Sequence, residues 1–319
     1  MNIGLIDVDN WNNLQKCFPN LALMKLSTHH RLGGDSVEWY NHDKHYDIVY
    51  MSKVFSFSKE PYRNINATGV LRGGTGYNIH LKNGVEVFDY INHFELPYDV
   101  EHSFPDYSLY GIHDTAYGFT SRGCPRNCEF CHVGCKEGLK SYKVADLSEF
   151  WNGQKYIELL DPNTFACKDW KDIVQQLIDS GAAVNFNQGV DIRIMTPEKI
   201  EMLMKVKTKH IHFAWDRYQD KDIILKQFKM FKELTNWGRS KVTVYILTNF
   251  DTSIEQDIER VMYCRDFDFC PYIMRYDKEH IKKGSEINKL ARWVNNKRIF
   301  WSCNSFEQYK TDLKNGMWR

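Results

Sequence analysis

Residues 116–131 read AYGFTSRGCPRNCEFC, and this stretch carries the strongest signal about the fold and the chemistry of the chain. An apolar, strand-like segment from Ala116 to Thr120 leads into a loop in which Cys124, Cys128 and Cys131 have the spacing C-x3-C-x2-C. A structural zinc ion takes four protein ligands, whereas a catalytic metal keeps one position open. An iron-sulfur cubane held by three cysteines likewise has one iron free for an outside ligand, so the loop predicts a reactive metal centre.

Two other interpretations of this loop stay open. The chain has nine cysteines, so three of them can fall close together by chance. A zinc ion is the stronger alternative, with Cys135 or His132 as the fourth ligand after the three loop cysteines. Four ligands would then crowd into twelve residues without a second knuckle. We therefore interpret Cys135 as a spare thiol.

At these residues the sequence resembles the radical S-adenosylmethionine (SAM) superfamily, in which C-x3-C-x-aromatic-C binds a [4Fe-4S] cluster and SAM chelates the fourth iron. Phe130 occupies the aromatic position, and the resemblance implies that its ring packs beside the adenine. The strings from Thr120 to Pro125 and from Lys136 to Gly138 look like the branch that has an N-terminal cobalamin-binding domain. Cys124, Cys128 and Cys131 are the cluster ligands by this resemblance.

The resemblance also implies a function. A reduced cluster, supplied with electrons by a flavodoxin- or ferredoxin-type protein, would cleave SAM to a 5'-deoxyadenosyl radical that abstracts hydrogen from a substrate. The sequence does not identify that substrate. A radical SAM methyltransferase or methylthiotransferase acting on RNA or on a peptide is one alternative, and a non-catalytic zinc or iron-sulfur binding module is another.

Composition predicts a soluble enzyme of a reducing compartment, which we expect to be the cytoplasm. The 319 residues are 43% hydrophobic and 26% charged, with a net charge of +1 that indicates neither nucleic acid nor a membrane surface as a partner. An odd cysteine count at irregular spacing is not typical of a disulfide framework, and Met1 to Gly4 does not begin a signal segment. No apolar run approaches the roughly 20 residues of a membrane span.

The first 109 residues predict a small Rossmann-like α/β domain. Its strands are Asn2 to Val8, Tyr46 to Met51 and Gly69 to Gly74, because buried parallel strands read as continuous apolar runs. The turn from Gly73 to Gly76 either contacts a ligand or only reverses the chain. This part resembles a degenerate cobalamin-binding domain.

Cobalamin is nevertheless not the favoured ligand of this first domain. The Asp-x-His-x-x-Gly motif of the family is missing, and His29 and His30 lie in a different context. A relic domain that packs against the catalytic part or helps to bind substrate is favoured over one that binds cobalamin.

Residues 110–280 predict a partial (β/α)6 TIM-like barrel, and residues 281–319 a C-terminal extension that packs on it. Strand-like and helix-like segments alternate here, as in parallel sheets built from βα units. The expected helices are Trp170 to Ser180, Pro197 to Val206 and Asp222 to Leu234. The expected strands are Ala116 to Thr120, Tyr156 to Leu160, Val184 to Asn187, His210 to Ala214, Val242 to Leu247 and Tyr272 to Met274.

Polar residues that follow these strands are the candidate SAM or substrate contacts, because βα barrels place their chemistry at the carboxyl ends of strands. Asp161 and Asn163 occupy the position of the Gly-Gly-Glu segment of the superfamily, without its glycines. Arg193 has a planar guanidinium suited to the SAM carboxylate. Asp251 and Thr252 are interpreted first as helix N-caps. The full set of candidates is Asp161, Asn163, Asn187, Gln188, Arg193, Asp216 and Asn249.

Other cysteines and the C-terminal aromatic residues have simpler interpretations. Cys17 and Cys167 are expected to be packing residues, and a second cluster on Cys264, Cys270 and Cys303 is not favoured, because single buried cysteines behave as small hydrophobes. The C-terminal aromatics are expected to close the open side of the barrel rather than to stack on bases. They are Trp293, Phe300, Trp301, Phe306, Tyr309 and Trp318.

Overall fold

The computed structural model describes residues 1–12, 14, 18–82 and 85–318. It is a mixed α/β protein in which the larger sheets are parallel, so the predicted α/β class is confirmed. Within the described ranges, no helix combines the length and the apolar character needed to cross a membrane. The chain divides into two compact units, Met1–Pro162 with Cys167–Asp169, and Asn163–Ala166 with Trp170–Arg319.

The boundary between the units does not coincide with the predicted domain boundary after residue 109. The first unit continues through the cysteine loop as far as Pro162. The units are a division by internal packing, so the predicted boundaries at residues 109 and 280 stay predictions. Each unit is described by itself below.

A four-stranded parallel sheet forms the core of the first unit, in the order β2-β1-β3-β4. Leu5 of the central strand pairs with Trp39 on one side and with Tyr50 on the other. Both faces of this strand are covered, which explains its continuous apolar run. Three strands confirm the prediction; β2 was missed because its sequence, SVEW, alternates polar and apolar residues and is not a continuous apolar run. The strands are β1 (Asn2–Asp7), β2 (Ser36–Trp39), β3 (Tyr46–Ser52) and β4 (Ala67–Gly73).

Helices and short hairpins complete the first unit. The Asn20 side chain caps helix α1 by accepting from the amide of Leu23. Strands β7 and β10 pair in parallel, whereas β5 with β6 and β8 with β9 form antiparallel pairs. These elements are α1 (Leu21–Leu32), α2 (Thr75–Asn78), β5 (Ile79–Lys82), β6 (Val85–Phe88), α3 (Tyr98–Glu101), β7 (Thr115–Gly118), β8 (Ser121–Arg122), α4 (Val133–Glu137), β9 (Tyr142–Lys143) and β10 (Tyr156–Leu159).

The second unit alternates helices with strands that run parallel to one another. Strands β12, β13 and β14 form one sheet, and two isolated parallel bridges place the β11 segment beside the β12 segment. The elements are α5 (Trp170–Ser180), β11 (Ala183–Phe186), α6 (Pro197–Lys205), β12 (Ile211–Ala214), α7 (Lys221–Thr235), β13 (Val242–Thr248), α8 (Ile254–Asp266), β14 (Cys270–Arg275), α9 (Glu286–Asn295), α10 (Lys297–Ser302) and α11 (Phe306–Lys314).

The predicted strands and helices of residues 110–280 are all present, with ends that differ by at most two residues. Among the C-terminal aromatics, Trp293 is fully buried and its ring lies 5.1 Å from that of Phe300 and 5.6 Å from that of Phe306, between ring centroids. Tyr309 is also buried in this group. These four rings are therefore core residues of the second unit and are not available to stack on bases.

Candidate metal centre and strand-end cluster

The three loop cysteines lie between β8 and α4 in the first unit, and each is half-buried. Hydrogen bonds of the backbone anchor the loop. The amide of Cys124 donates to the carbonyl of Gly138 at 3.2 Å, and the amide of Cys131 donates to the carbonyl of Cys128 at 3.0 Å. The loop therefore has a defined backbone path from its first cysteine to its last.

The carboxylate of Glu137 holds the chain immediately before Cys124. One oxygen accepts from Arg122 Nη1 and the other from the amide of Gly123, both at 3.0 Å. Burial opposes ionisation of Glu137, but Arg122, the Gly123 amide and Lys136 outweigh it and keep the pKa of Glu137 below its ordinary value. The start of the cysteine loop is thus tied to α4 by a charge that persists at neutral pH.

The position of Gly123 requires a residue without a side chain, for two reasons. Its φ is +76°, and a Cβ built on it would lie 2.0 Å from the carbonyl oxygen of Lys140. A side chain here would meet both backbone strain and a direct clash. The glycine between Arg122 and Cys124 is therefore required by the loop geometry.

Asp161 supports the same loop from the end of β10. Its buried carboxylate accepts from the amide of Thr120 at 2.7 Å, from the Thr120 hydroxyl at 2.7 Å and from the Ser121 hydroxyl at 2.6 Å. Burial raises the pKa of Asp161 despite these donors. The sequence suggested Asp161 as a SAM contact; in the structure its carboxylate holds the residues that lead into the cysteine loop.

The donor set suits an iron-sulfur cluster, because three thiols on one short loop are the ligands that such clusters use. In the part of the chain that the structure describes, no group of three or more His, Cys, Asp or Glu side chains is close enough together to hold a metal ion. The argument for an iron-sulfur cluster at this loop therefore depends on the chemistry of the three thiols and on the backbone hydrogen bonds that anchor the loop. Convergence of the three sulfurs on a metal stays a prediction.

Cys135 and His132, the alternative fourth ligands, make other contacts. The Cys135 thiol donates to the carbonyl of His132 at 3.2 Å, and burial raises the pKa of that thiol. His132 Nδ1 lies 3.6 Å from a carboxylate oxygen of Glu86. The interpretation of Cys135 as a spare thiol stays a prediction.

In the second unit, Arg193 is paired with carboxylates of the protein itself. Its Nε donates to Asp191 at 2.7 Å and its Nη1 donates to Asp220 at 2.6 Å. The predicted contact of Arg193 with the SAM carboxylate stays a prediction, and a ligand would have to compete with both aspartates. Asp191, Arg193, Asp216 and Asp220 together are called the strand-end cluster below.

Asp216 belongs to this cluster because charges on Arg193, Asp191 and Asp220 all act on it. Burial raises the pKa of Asp216 to about 6, while Arg193 and Arg260 partly oppose the rise. A carboxyl group with this pKa changes its protonation state close to neutral pH. Asp216 is thus the sequence-predicted site residue with chemistry most suited to proton transfer.

Arg260 is a buried residue of α8 that the sequence analysis missed. Its guanidinium donates to the carbonyls of Trp215 at 2.6 Å and Leu247 at 2.8 Å, and it forms an ion pair with Asp257 at 2.5 Å. The ends of β12 and β13 are held together by these bonds. An arginine in a helix is usually expected at the surface. The pattern of apolar residues in α8 did not indicate that Arg260 would be buried.

The other predicted polar residues are not brought into one group by the contacts of their unit. Asn187 is half-buried and Gln188 is exposed, and Asn163 is buried. Exposed Asn249 has a φ of +64° and donates to the carbonyl of Tyr276 at 3.1 Å. Their roles as SAM contacts stay predictions.

The N-cap prediction for Asp251 and Thr252 is wrong. Ser253 caps α8 instead, in a capping box with Gln256. The Thr252 hydroxyl donates to Asp257 at 2.7 Å, so its hydrogen-bonding capacity serves the Arg260 ion pair. A one-residue difference arises because Ser253 and Gln256 have the capping-box spacing.

The remaining cysteines behave as packing residues where the structure describes them. Cys264, Cys270 and Cys303 are buried in the second unit, and burial raises the pKa of each thiol. Cys167 is buried in the first unit. Cys17 lies outside the described residues. The two ring nitrogens of His30 lie 2.7 Å from Asp35 and 3.0 Å from Tyr50.

Comparison with known proteins leaves the family open. A scan against protein-family models gave no match, and a search of curated protein sequences gave none either.

Proposed function

We propose that this protein is a radical SAM enzyme in which Cys124, Cys128 and Cys131 hold a [4Fe-4S] cluster. The observation that carries the proposal is the cysteine loop itself, three thiols at C-x3-C-x2-C spacing on a path that Glu137 and Asp161 hold in place. When bound, the cluster would supply the electron that cleaves SAM to a 5'-deoxyadenosyl radical.

Two features of the surrounding chain support this proposal. The strand that precedes the loop, β7, is paired in parallel with β10, and the strands of the second unit are parallel and alternate with helices. A partial (β/α)6 barrel has both features. We include in the proposal that the strands form such a barrel and that Asn187, Gln188 and Arg193 contact SAM.

The residues around the loop have definable roles in this proposal. Glu137, Arg122 and Gly123 orient the chain at its entry, and Asp161 holds the two residues before them. We assign them a positioning role, because their bonds go to the residues that lead into the cysteine loop. Phe130 is proposed to pack beside the adenine of SAM, as the resemblance implies.

The deciding experiment is anaerobic reconstitution of the full chain with iron and sulfide, then dithionite reduction with SAM and mass-spectrometric detection of 5'-deoxyadenosine. We expect about four irons and four sulfides per chain and formation of 5'-deoxyadenosine, because a three-cysteine cubane leaves one iron for SAM. The variant with Cys124, Cys128 and Cys131 all changed to alanine should bind no cluster and make no 5'-deoxyadenosine, and should keep its circular dichroism.

Cys135→Ala is the matched control, since it removes a neighbouring thiol outside the motif, and its iron content should equal that of the wild type. Loss of iron in Cys135→Ala would favour a four-ligand site. One zinc per chain without sulfide would favour the non-catalytic module, and four irons in the triple variant would refute the ligand assignment.

A further inference from the structure

The first unit contains a cavity of about 480 Å³ whose walls come from α1, the turn after β4, the β5–β6 hairpin and the elements flanking the cysteine loop. Gly74 and Thr75 line it, so the glycine turn singled out in the sequence does reach a cavity. Volumes of this size are typical of small-molecule sites. Much of its wall is aromatic, with Phe88, Phe94, Phe119 and Phe150 among the lining residues.

Most charged groups of the wall are already paired within the protein. Lys25 donates to Glu101 at 3.0 Å, and His102 lies 2.6 Å from Glu149. Arg122 is bonded to Glu137, as described above. Such pairs leave little affinity for a charged ligand, because each partner already has a counterion.

Lys136 is different, because it shares its counterion with a second cation. Its ammonium lies 3.6 Å from an oxygen of Glu137 that also accepts from Arg122 at 3.0 Å, and the other oxygen of Glu137 accepts from the Gly123 amide. Burial lowers the pKa of Lys136, with Glu137 partly opposing. An ammonium has three donors, so an acceptor supplied from the cavity would complete its shell.

His93 lies near Lys136 in the same wall. Its Nδ1 is buried without a hydrogen-bond partner, and the charge of Lys136 helps burial to lower the pKa of the His93 ring. The carboxylate that acts on His93, Glu95, is exposed, so water weakens its effect. An ammonium that shares its counterion and a histidine ring nitrogen without a hydrogen-bond partner therefore lie at one end of an aromatic cavity.

We propose that this cavity binds a small molecule with a carboxylate and an apolar, aromatic body, the carboxylate bonding to Lys136 and His93 and the body packing on Phe88, Phe94 and Phe119. A carboxylate offers two acceptor oxygens and the opposite charge to the ammonium. The site is distinct from the predicted SAM contacts of the second unit, because none of those residues lines it. The proposal does not depend on the iron-sulfur cluster.

Titration calorimetry on the reconstituted full chain tests the proposal with indole-3-acetate as the probe and indole-3-acetamide as its uncharged match. We expect saturable binding of one indole-3-acetate per chain and at least tenfold weaker binding of the amide, because a charge-assisted hydrogen bond contributes that much. Lys136→Met should weaken binding of the acid about tenfold and leave that of the amide unchanged. His93→Phe keeps an aromatic ring at this position, and we expect it to weaken binding of indole-3-acetate less than Lys136→Met does.

Lys140→Met is the control, since Lys140 is exposed and does not line the cavity. Absence of saturable binding, equal affinity for acid and amide, or an equal loss in Lys140→Met would overturn the proposal. Displacement of the probe by SAM would also overturn it, as the cavity would then be the SAM site. The triple cysteine variant should bind the probe as the wild type does, which separates this proposal from the proposed radical chemistry.

Discussion

The surroundings of the cysteine loop and the strand-end cluster both contain buried or half-buried charged residues, but their charges are used differently. In the loop, the carboxylates of Glu137 and Asp161 bond to amides and hydroxyls of the residues before Cys124. In the cluster, Arg193 and its aspartates bond to one another. A polar residue at a strand end can therefore have its hydrogen bonds within the protein. Its position alone does not indicate ligand binding, and its partners have to be known first.

The difference has a consequence for chemistry. The bonds of Glu137 and Asp161 hold residues 120–123, which lead into the loop, through their amides, hydroxyls and the Arg122 guanidinium. The cluster instead has one cation, Arg193, among three aspartates, and Asp216 is the member whose pKa is moved toward neutral pH. We therefore expect the strand-end cluster to act through the proton of Asp216, and the residues before the cysteine loop to act by positioning it.

The largest effect on stability is expected from Arg260→Met, which tests how strongly the strand ends of the second unit depend on buried charge. The variant leaves Asp257 buried without its cation, so the free energy of unfolding should fall by about 3–5 kcal/mol. Urea unfolding of the full chain, followed by circular dichroism, measures it. Arg298→Met is the control, because Arg298 is exposed, and should change stability by about 0.5 kcal/mol or less. A loss below about 1 kcal/mol for Arg260→Met would contradict the buried-pair argument.

Asp161→Asn tests the loop side of the comparison. The carboxylate of Asp161 accepts from three donors. The side-chain amide of asparagine has one acceptor oxygen, and its NH2 group would face donors. We therefore expect a loss of about 2 kcal/mol in the free energy of unfolding. Iron content after reconstitution should fall as well, because the approach to Cys124 loses its support. Asp43→Asn, at an exposed position, is the control.

Iron content should be measured per folded chain, so that a general loss of stability is not counted as a loss of the site. If Asp161→Asn lost stability but kept wild-type iron, Asp161 would support the fold without positioning the cysteines. The proposed difference between the cysteine loop and the strand-end cluster would then not extend to Asp161.

The smallest effect is expected from Asp216→Asn, and it is a change in pH dependence. Because the folded-state pKa of about 6 is higher than the ordinary value of 3.8, the protonated form is favoured by folding. The wild type should therefore lose about 2 kcal/mol of stability as the pH rises from 4 to 7. In Asp216→Asn this part of the slope should be missing.

Urea unfolding at intervals between pH 4 and pH 7 measures the slope. The contributions of other titrating groups cancel when the two proteins are compared at each pH. Parallel curves for the wild type and the variant would show that Asp216 titrates normally, and the cluster would then have no group suited to proton transfer.

Local sequence patterns predicted much of the secondary structure, and particular elements show why. Helix α5 begins and ends where predicted, because Ile173, Val174 and Leu177 recur at helical spacing and Gly181 follows the last turn. Strand β2 was missed, because its sequence SVEW alternates polar and apolar residues, whereas the strands of this unit were sought as continuous apolar runs. The N-cap of α8 differed by one residue, because Thr252 and Ser253 are both capable caps and only the position of Gln256 decides between them.

The sequence by itself determined the α/β class, the positions of the strands and helices that it predicted, and the spacing of Cys124, Cys128 and Cys131, since all of these depend on residues close together in the chain. Only the tertiary structure decided which carboxylate serves which donor. Glu137 is 14 residues from Gly123, and Asp161 is 41 residues from Thr120. The cavity between Lys136 and the aromatic residues was decided in the same way. Such partners are chosen by packing, and because polar side chains offer many equivalent hydrogen bonds, a sequence pattern does not select among them.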